Sequence, residues 1–600
     1  MPADRSPITR AVFCFALLLA GLAADRCLAA APADFYVAPN GNDAWSGKLA
    51  EANAAAGDGP FATLGRARDA VRALQREGGV KNDVLVLLRG GVYRLAEPVV
   101  LTAEDSGPGS HTVTYAAYPG ETPVLSGGRR IEGWRRGEGP LWTAAVPEAA
   151  GGKWTFRQIF VNGAHRPRAR TPNEGFYRIV RAGQNERRTF TFNQGEWRNW
   201  GNIEDIEIVL FYDWDIGRMK HPAVDEATST VTFPRPIGNL DLYFTVFNHF
   251  DPHQRYYIEN AREFLDAPGE WYLDRKTGVL TYWPTEGEEM TKAEVIAPVP
   301  VRLFVAKGTP KQPIRNLVVR GLTFQHTEFP LPEEGYGGVQ AGTYGTKGAW
   351  NRLPAAVEFT GAAGCRFEGN TIAHVGATAL NFEQGCRDNR IERNDIYDAG
   401  GNGITLGETK ALPDDPAETS RDNTIADNRI HDGGRDYPGT VGVWIGHTDH
   451  SVVAHNHIHD LPYTGISVGW TWNPSPTAAQ NNVIEYNHIH DVMETLADGG
   501  GIYTLGFQPG MALRGNLIHD VSPTHGRAGS NGMFIDEGSK GFLVEGNVLY
   551  RTPDGAFRFN QSQEAWHTFR NNSVDVPPDA PGFPKAAAAQ AGPRQGGSRE

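Results

Sequence analysis

Two acidic residues stand in unusual company. Asp498 precedes three glycines in ADGGGIYTLG, and Asp536 ends a short apolar run in GMFIDEG, with Glu537 directly after it. Two carboxyl groups about 5–10 Å apart can break a glycosidic bond. One donates a proton to the leaving oxygen; the other, ionised, attacks carbon or activates water. Trp444, Tyr463, Trp470, Trp472, Tyr503 and His447 fall in the same part of the chain. Sugars expose apolar C–H faces that stack on aromatic rings, so these residues are candidates for binding carbohydrate. Plainer readings stay open: Asp498 suits a turn before glycines, Asp536 a solvated strand end, and each ring a loop cover.

What positions these groups is a repeat. NTIAHVG begins at Asn370, NDIYDAG at Asn394, NRIHDGG at Asn428, NHIHDLP at Asn456, NHIHDVM at Asn487, NLIHDVS at Asn516, NVLYRTP at Asn547 and NNSVDVP at Asn571. The spacings are 24, 34, 28, 31, 29, 31 and 24 residues. A second short strand follows most of them, as in NGITLGE, VGVWIGH, TGISVGW, GGIYTLG, NGMFIDE and DGAFRFN. Coils this short, built of alternating strands, predict an all-β parallel β-helix whose recurrent Asn stacks as a ladder. Propeller blades need about 40 residues and four strands each, which these coils lack.

In the second strand, Ile404, Ile466 and Met533 point inward, as do Leu406, Val468 and Ile535; Thr405, Ser467 and Phe534 point outward. Asp536 then takes an outward place that Gly407, Gly446 and Gly469 occupy elsewhere, which implies open space above the acid. Glu408, His447 and Trp470 share the Glu537 column. Fully extended strands in register would put Asp498 and Asp536 about 20 Å apart at about 3.3 Å per residue. The three glycines are therefore expected to fold Asp498 back over the strand face, since glycine enters such turns freely. His431, His459, His490 and His519 recur at one place beside Asp432, Asp460, Asp491 and Asp520. One histidine per coil does not converge on an ion, so a surface ladder is expected, with no metal and no cofactor.

The remaining chain frames this solenoid. Arg5 and Arg10 precede an apolar stretch, Ala11–Ala24, and small residues follow, so residues 1–31 read as a secretory leader and the protein as secreted or periplasmic. Residues 32–129 carry a capping helix and the first coils, 130–300 an inserted β-rich, sandwich-like domain, 301–576 the main solenoid, and 577–600 a low-complexity tail expected to be disordered. Beyond the leader only Cys365 and Cys386 remain, either paired or buried as thiols. The net charge of −13, with no basic stripe, argues against a nucleic-acid partner. No run after the leader resembles a membrane span.

The segments FYVAPNGNDAWSG with GPFATLGRARDAVR, then FVNGAHRPRARTPN, LDAPGEWYLD, ADGGGIYTLG and GMFIDEGSKGFLVEGN resemble glycoside hydrolase family 141 from about residue 34 to 575. The resemblance implies a right-handed β-helix with an added β-sandwich domain. It implies activity on plant cell-wall carbohydrate of the α-L-fucosidase or xylanase kind. Two catalytic aspartates then fall on Asp498 and Asp536, with Asp536 as nucleophile or base and Asp498 as acid. The competing expectations are a uronate polysaccharide lyase on the same fold and a non-catalytic carbohydrate-binding solenoid. The lyase needs a Lys or Arg base near clustered acids. From residue 351 on the lysines are only Lys410, Lys540 and Lys585.

Overall fold

The computed structural model describes residues 33–594 apart from 79–81, 184–187, 238–253 and 347–348. The expected leader, with Cys14 and Cys27, lies outside the described residues.

Three long parallel sheets of 12, 11 and 10 strands wrap one apolar core into a β-helix. Its register follows the repeat. Ile372, Ile396, Ile430, Ile458, Ile489, Ile518 and Leu549 pair coil to coil along the eleven-stranded sheet and are buried. At one corner each asparagine accepts from the backbone N–H of its neighbour and donates to a carbonyl. The Asn456 N–H reaches Asn487 Oδ1 at 3.0 Å, and Asn487 Nδ2 donates to the Val453 carbonyl at 2.9 Å. The last rung is Asn572 rather than Asn571, whose φ of 52° puts it in the left-handed region.

The helix Leu64–Arg76 packs Leu64, Ala67, Ala70 and Val71 against the first coils, with Thr63 accepting from the Arg66 N–H as its N-cap. The strand Pro123–Ser126 pairs directly with Thr323–Thr327, so the sequence between them interrupts a single coil. Most of that sequence, up to Pro298, folds into antiparallel sheets around two further apolar cores, after which Phe304–Lys307 and Leu317–Arg320 resume the parallel coil. One of its sheets continues into the hairpin strands Tyr336–Gln340, Thr343–Thr346 and Ala349–Arg352, through Gly217–Gly337 and Arg218–Tyr336 pairing. Cys365 and Cys386 are buried free thiols. Residues 577–594, expected to be disordered, instead lie along the solenoid. Phe583, Ala587 and Ala591 cover Leu517, Val548 and Tyr550, and Arg594 pairs with Asp427. This tail has apolar residues spaced to meet an apolar strip, which its low complexity concealed. Among the described residues no helix is long and apolar enough to cross a membrane.

Candidate active site

The ten-stranded sheet carries the site. Its register stacks Thr405, Trp444, Ser467, Tyr503, Phe534 and Arg558 in one outward column. The flanking inward residues, Ile502 with Met533 and Ile535, belong to the main core, whereas Tyr503, Phe534 and Leu505 form a separate outer cluster. The in–out alternation read from sequence is therefore the one observed.

The three glycines behave differently from expectation. Gly499, Gly500 and Gly501 do not fold Asp498 back over the sheet; they lie inside the strand Gly499–Thr504, paired with Ser530–Ile535. They are glycines because neighbouring coils leave no room. A Cβ on Gly501 would sit 2.5 Å from Ile518 Cγ2, and one on Gly500 2.4 Å from the Asn531 carbonyl oxygen. Gly403, Gly442, Gly465 and Gly532 meet the same pressure from the facing Ile or Leu. It is Asp498 itself that turns, with φ of 57°.

The coil next to Asp536 does not carry the glycine found at this place in the earlier coils. Leu505 stands in the neighbouring coil at that level, and Gly469 is a glycine because a Cβ there would meet the Leu505 carbonyl oxygen at 2.0 Å.

Side chains spanning the coils link the two aspartates. Arg558 Nη1 lies 2.8 Å from Asp498 Oδ1, and its guanidinium sits 4.0 Å from the Phe534 ring centre. The Phe534 and Tyr503 rings are 5.2 Å apart edge to face, and the Tyr503 hydroxyl donates to Asp536 Oδ2 at 2.6 Å. Asn560 Nδ2 donates to Asp536 Oδ1 at 2.8 Å. The backbone around Asp498 is tied down as well. Its carbonyl accepts from the Tyr463 hydroxyl at 3.0 Å, and the Ala497 N–H donates to the Asp213 carbonyl at 2.6 Å.

Burial raises both acids, and different partners oppose the shift. Burial pushes the Asp498 carboxyl up to about 6; Arg558 opposes the shift, while the charges of Asp536 and Asp213 add to it. Burial also raises Asp536, but the hydrogen bonds from Tyr503 and Asn560 favour its ionised form. Glu537 is half-buried, accepts from Gln561 Nε2 at 2.7 Å, and is raised by burial and by the Asp498 charge. Asp498, Asp536 and Glu537 thus share one electrostatic site.

The aromatic candidates gather as expected but differ in exposure. Trp444 and Tyr463 are 1 % exposed, and Trp470 and Tyr503 are 2 % exposed, so they form walls rather than open stacking platforms. The hairpin strand Ala349–Arg352 causes this burial: Trp350 packs 5.5 Å from Trp470 and 6.0 Å from Trp472, and Arg352 lies 4.6 Å over Trp444. Trp472 keeps a partly exposed ring. His447 is buried beside Thr471 and pushed down to about 4, hence neutral.

Sequence reasoning missed Arg558, Asn560 and Asp213. Arg558 was visible in DGAFRFN as a charged residue in a column otherwise filled by Thr, Ser and aromatic residues. Asp213 reaches the site from the inserted domain, and no local pattern announces it. Among the described residues, the one grouping of three or more metal-type ligands lies elsewhere, at His457, His488 and His490.

Comparisons with known proteins agree with this architecture. Residues 355–549 match the "Right handed beta helix region" model, and residues 139–285 match the "GH141 insertion domain" model. A solved structure described as "Glycoside hydrolase" is 25 % identical and superposes with a TM-score of 0.83 over 94 % of this chain and 99 % of that one. The xylose complex of XylC is 14 % identical, with a TM-score of 0.49 over 91 % of this chain and 86 % of that one. The GH136 lacto-N-biosidase from Eubacterium ramulus is 12 % identical, with a TM-score of 0.39 over 90 % and 68 %. No curated protein sequence matches the chain.

Proposed function

Since the chain belongs to glycoside hydrolase family 141, we propose that it cleaves plant cell-wall polysaccharide, or oligosaccharides from it, with Asp498 as general acid and Asp536 as nucleophile or base. The substrate is of the α-L-fucoside or xylan kind, and the enzyme works outside the cytoplasm, guided by the leader in residues 1–31. The observation that carries the assignment is the different company of the two raised acids: Arg558 beside Asp498, and two hydrogen-bond donors on Asp536. Asp498 sits at about 6. It therefore holds a proton in mildly acidic solution and can pass it to the departing oxygen. Asp536 is also raised by burial, but its hydrogen bonds from Tyr503 and Asn560 oppose that shift and favour the ionised form a nucleophile or base needs. Glu537 is the alternative carboxylate at the same turn, half-buried and bound to Gln561.

The test is turnover of plant-polysaccharide oligosaccharides by Asp498→Asn, Asp536→Asn and Glu537→Gln, with folding checked by circular dichroism. Loss in both Asp variants with activity kept in Glu537→Gln supports the assignment. Near-native turnover in both Asp variants overturns it. Loss only in Glu537→Gln moves the carboxylate role to that residue.

A further inference from the structure

On the outer face of the eleven-stranded sheet, the HIH motifs at 457–459 and 488–490 build a second cluster of chemistry-bearing groups. Strand alternation sends both histidines of each motif outward. The register stacks Arg429, His457, His488 and Leu517 in one column and His431, His459, His490 and His519 in the next. The ladder read from sequence is the second column alone. The first supplies the missing convergence, because its rings lean diagonally across the coils: His457 Nε2 lies 2.7 Å from His490 Nε2, and His488 Nε2 lies 2.8 Å from His519 Nε2. His457, His488 and His490 each offer a ligand atom, all within 4.8 Å of one another.

We propose that His457, His488 and His490 bind one divalent transition-metal ion of the zinc or copper type. The donors are all imidazole nitrogens, which suit Zn²⁺, Cu²⁺ or Ni²⁺ and not the oxygen-seeking Ca²⁺ or Mg²⁺. The tautomers also fit. His490 Nδ1 lies 2.6 Å from Asp491 Oδ2. An ionised carboxylate only accepts, so Nδ1 carries the proton and Nε2 presents a lone pair toward His457. Carboxylate–histidine pairing of this kind orients metal-ligating imidazoles. His457 Nε2–H then donates to His490 Nε2; on metal binding that proton moves to its Nδ1, with no net charge change on the ring. All three rings are half-buried, and an ion there would bridge two adjacent coils.

The experiment uses tag-free full-length protein dialysed against Zn²⁺ or Cu²⁺, with bound metal counted by elemental analysis and melting followed by circular dichroism. Wild type should retain about one equivalent and melt higher with metal, since free ion at about 100 times Kd shifts the folding equilibrium about 100-fold. The Cu²⁺ form should give an electron paramagnetic resonance spectrum with imidazole-nitrogen hyperfine structure. The His457→Gln/His490→Gln variant should lose the ion, while His221→Gln, in the inserted domain, should keep it. No retained metal in wild type overturns the proposal. So does retention by the double variant, or an oxygen-only Cu²⁺ spectrum. The spectrum is read on wild type, so the result stands even if the double variant misfolds.

Discussion

At the scale of single residues, the proposed roles rest on two raised carboxyl groups with different partners, Arg558 at Asp498 and Tyr503 with Asn560 at Asp536. In the proposed acid role Asp498 acts protonated; burial pushes it up to about 6, so activity should persist below that pH and fall as pH rises through it. Replacing Arg558 by Gln removes the cation that opposes this shift. The basic limb of the kcat profile should then move to higher pH; an unmoved or acid-shifted limb contradicts the arrangement. Asp498→Asn should cost about 10²–10⁴-fold in kcat on natural glycosides. It should cost much less on aryl glycosides whose leaving groups need no proton, and equal losses on both classes would remove Asp498 from the acid role.

At the scale of elements, the repeat made most of the solenoid readable. NxIxD fixed the register because its isoleucines and asparagines stack on their own kind in every coil, so period and spacing sufficed. The glycines before Ile502 were misread because their cause lies in another coil: Ile518 and the Asn531 carbonyl are distant in sequence and adjacent in space. The same non-locality hid Asp213 and the paired histidine columns. Gly501→Ala should therefore destabilise the fold by about 1–3 kcal/mol through overpacking, without touching either aspartate. Asn487→Ala strips the partner from the Asn456 N–H and the Val453 carbonyl. That change should cost about 1–3 kcal/mol for each buried group left unpaired. Both are read from urea midpoints at unchanged m-value; a midpoint within error of wild type for Gly501→Ala would mean the corner has slack that the contacts deny.

At the scale of the whole molecule, the inserted domain is part of the site's architecture rather than an ornament on a solenoid. Its strands Glu207–Phe211 and Ile216–Lys220 flank the turn that holds Asp213, whose carbonyl takes the Ala497 N–H beside Asp498. The same strands carry Glu207 and Arg218 of a buried ionic cluster. Arg157 Nη1 lies 2.5 Å from Glu207 Oε1, Arg168 Nη1 lies 3.0 Å from Glu259 Oε1, and Arg218 contacts both glutamates. Arg218 also donates to the Asp436 carbonyl at 3.1 Å and stands on the strand that pairs with Tyr336, so it ties the insertion to the solenoid. Burial raises Glu207 and Glu259, but the arginines outweigh it: Glu207 is held well below the usual carboxylate range and Glu259 is lowered, which favours the ionised form of both. Removing one member of such a network leaves buried charge poorly compensated, at a cost of about 3–5 kcal/mol. Arg218→Met should lower the melting temperature accordingly. It should also lower kcat at temperatures where the fold survives if the tie of the insertion to the solenoid through Arg218 constrains the strand pair that carries Asp213. Unfolding with native-like kcat below the melt would separate the clamp from catalysis and confine the insertion to a stabilising role. A fall in kcat that precedes unfolding would place the insertion in control of the acid.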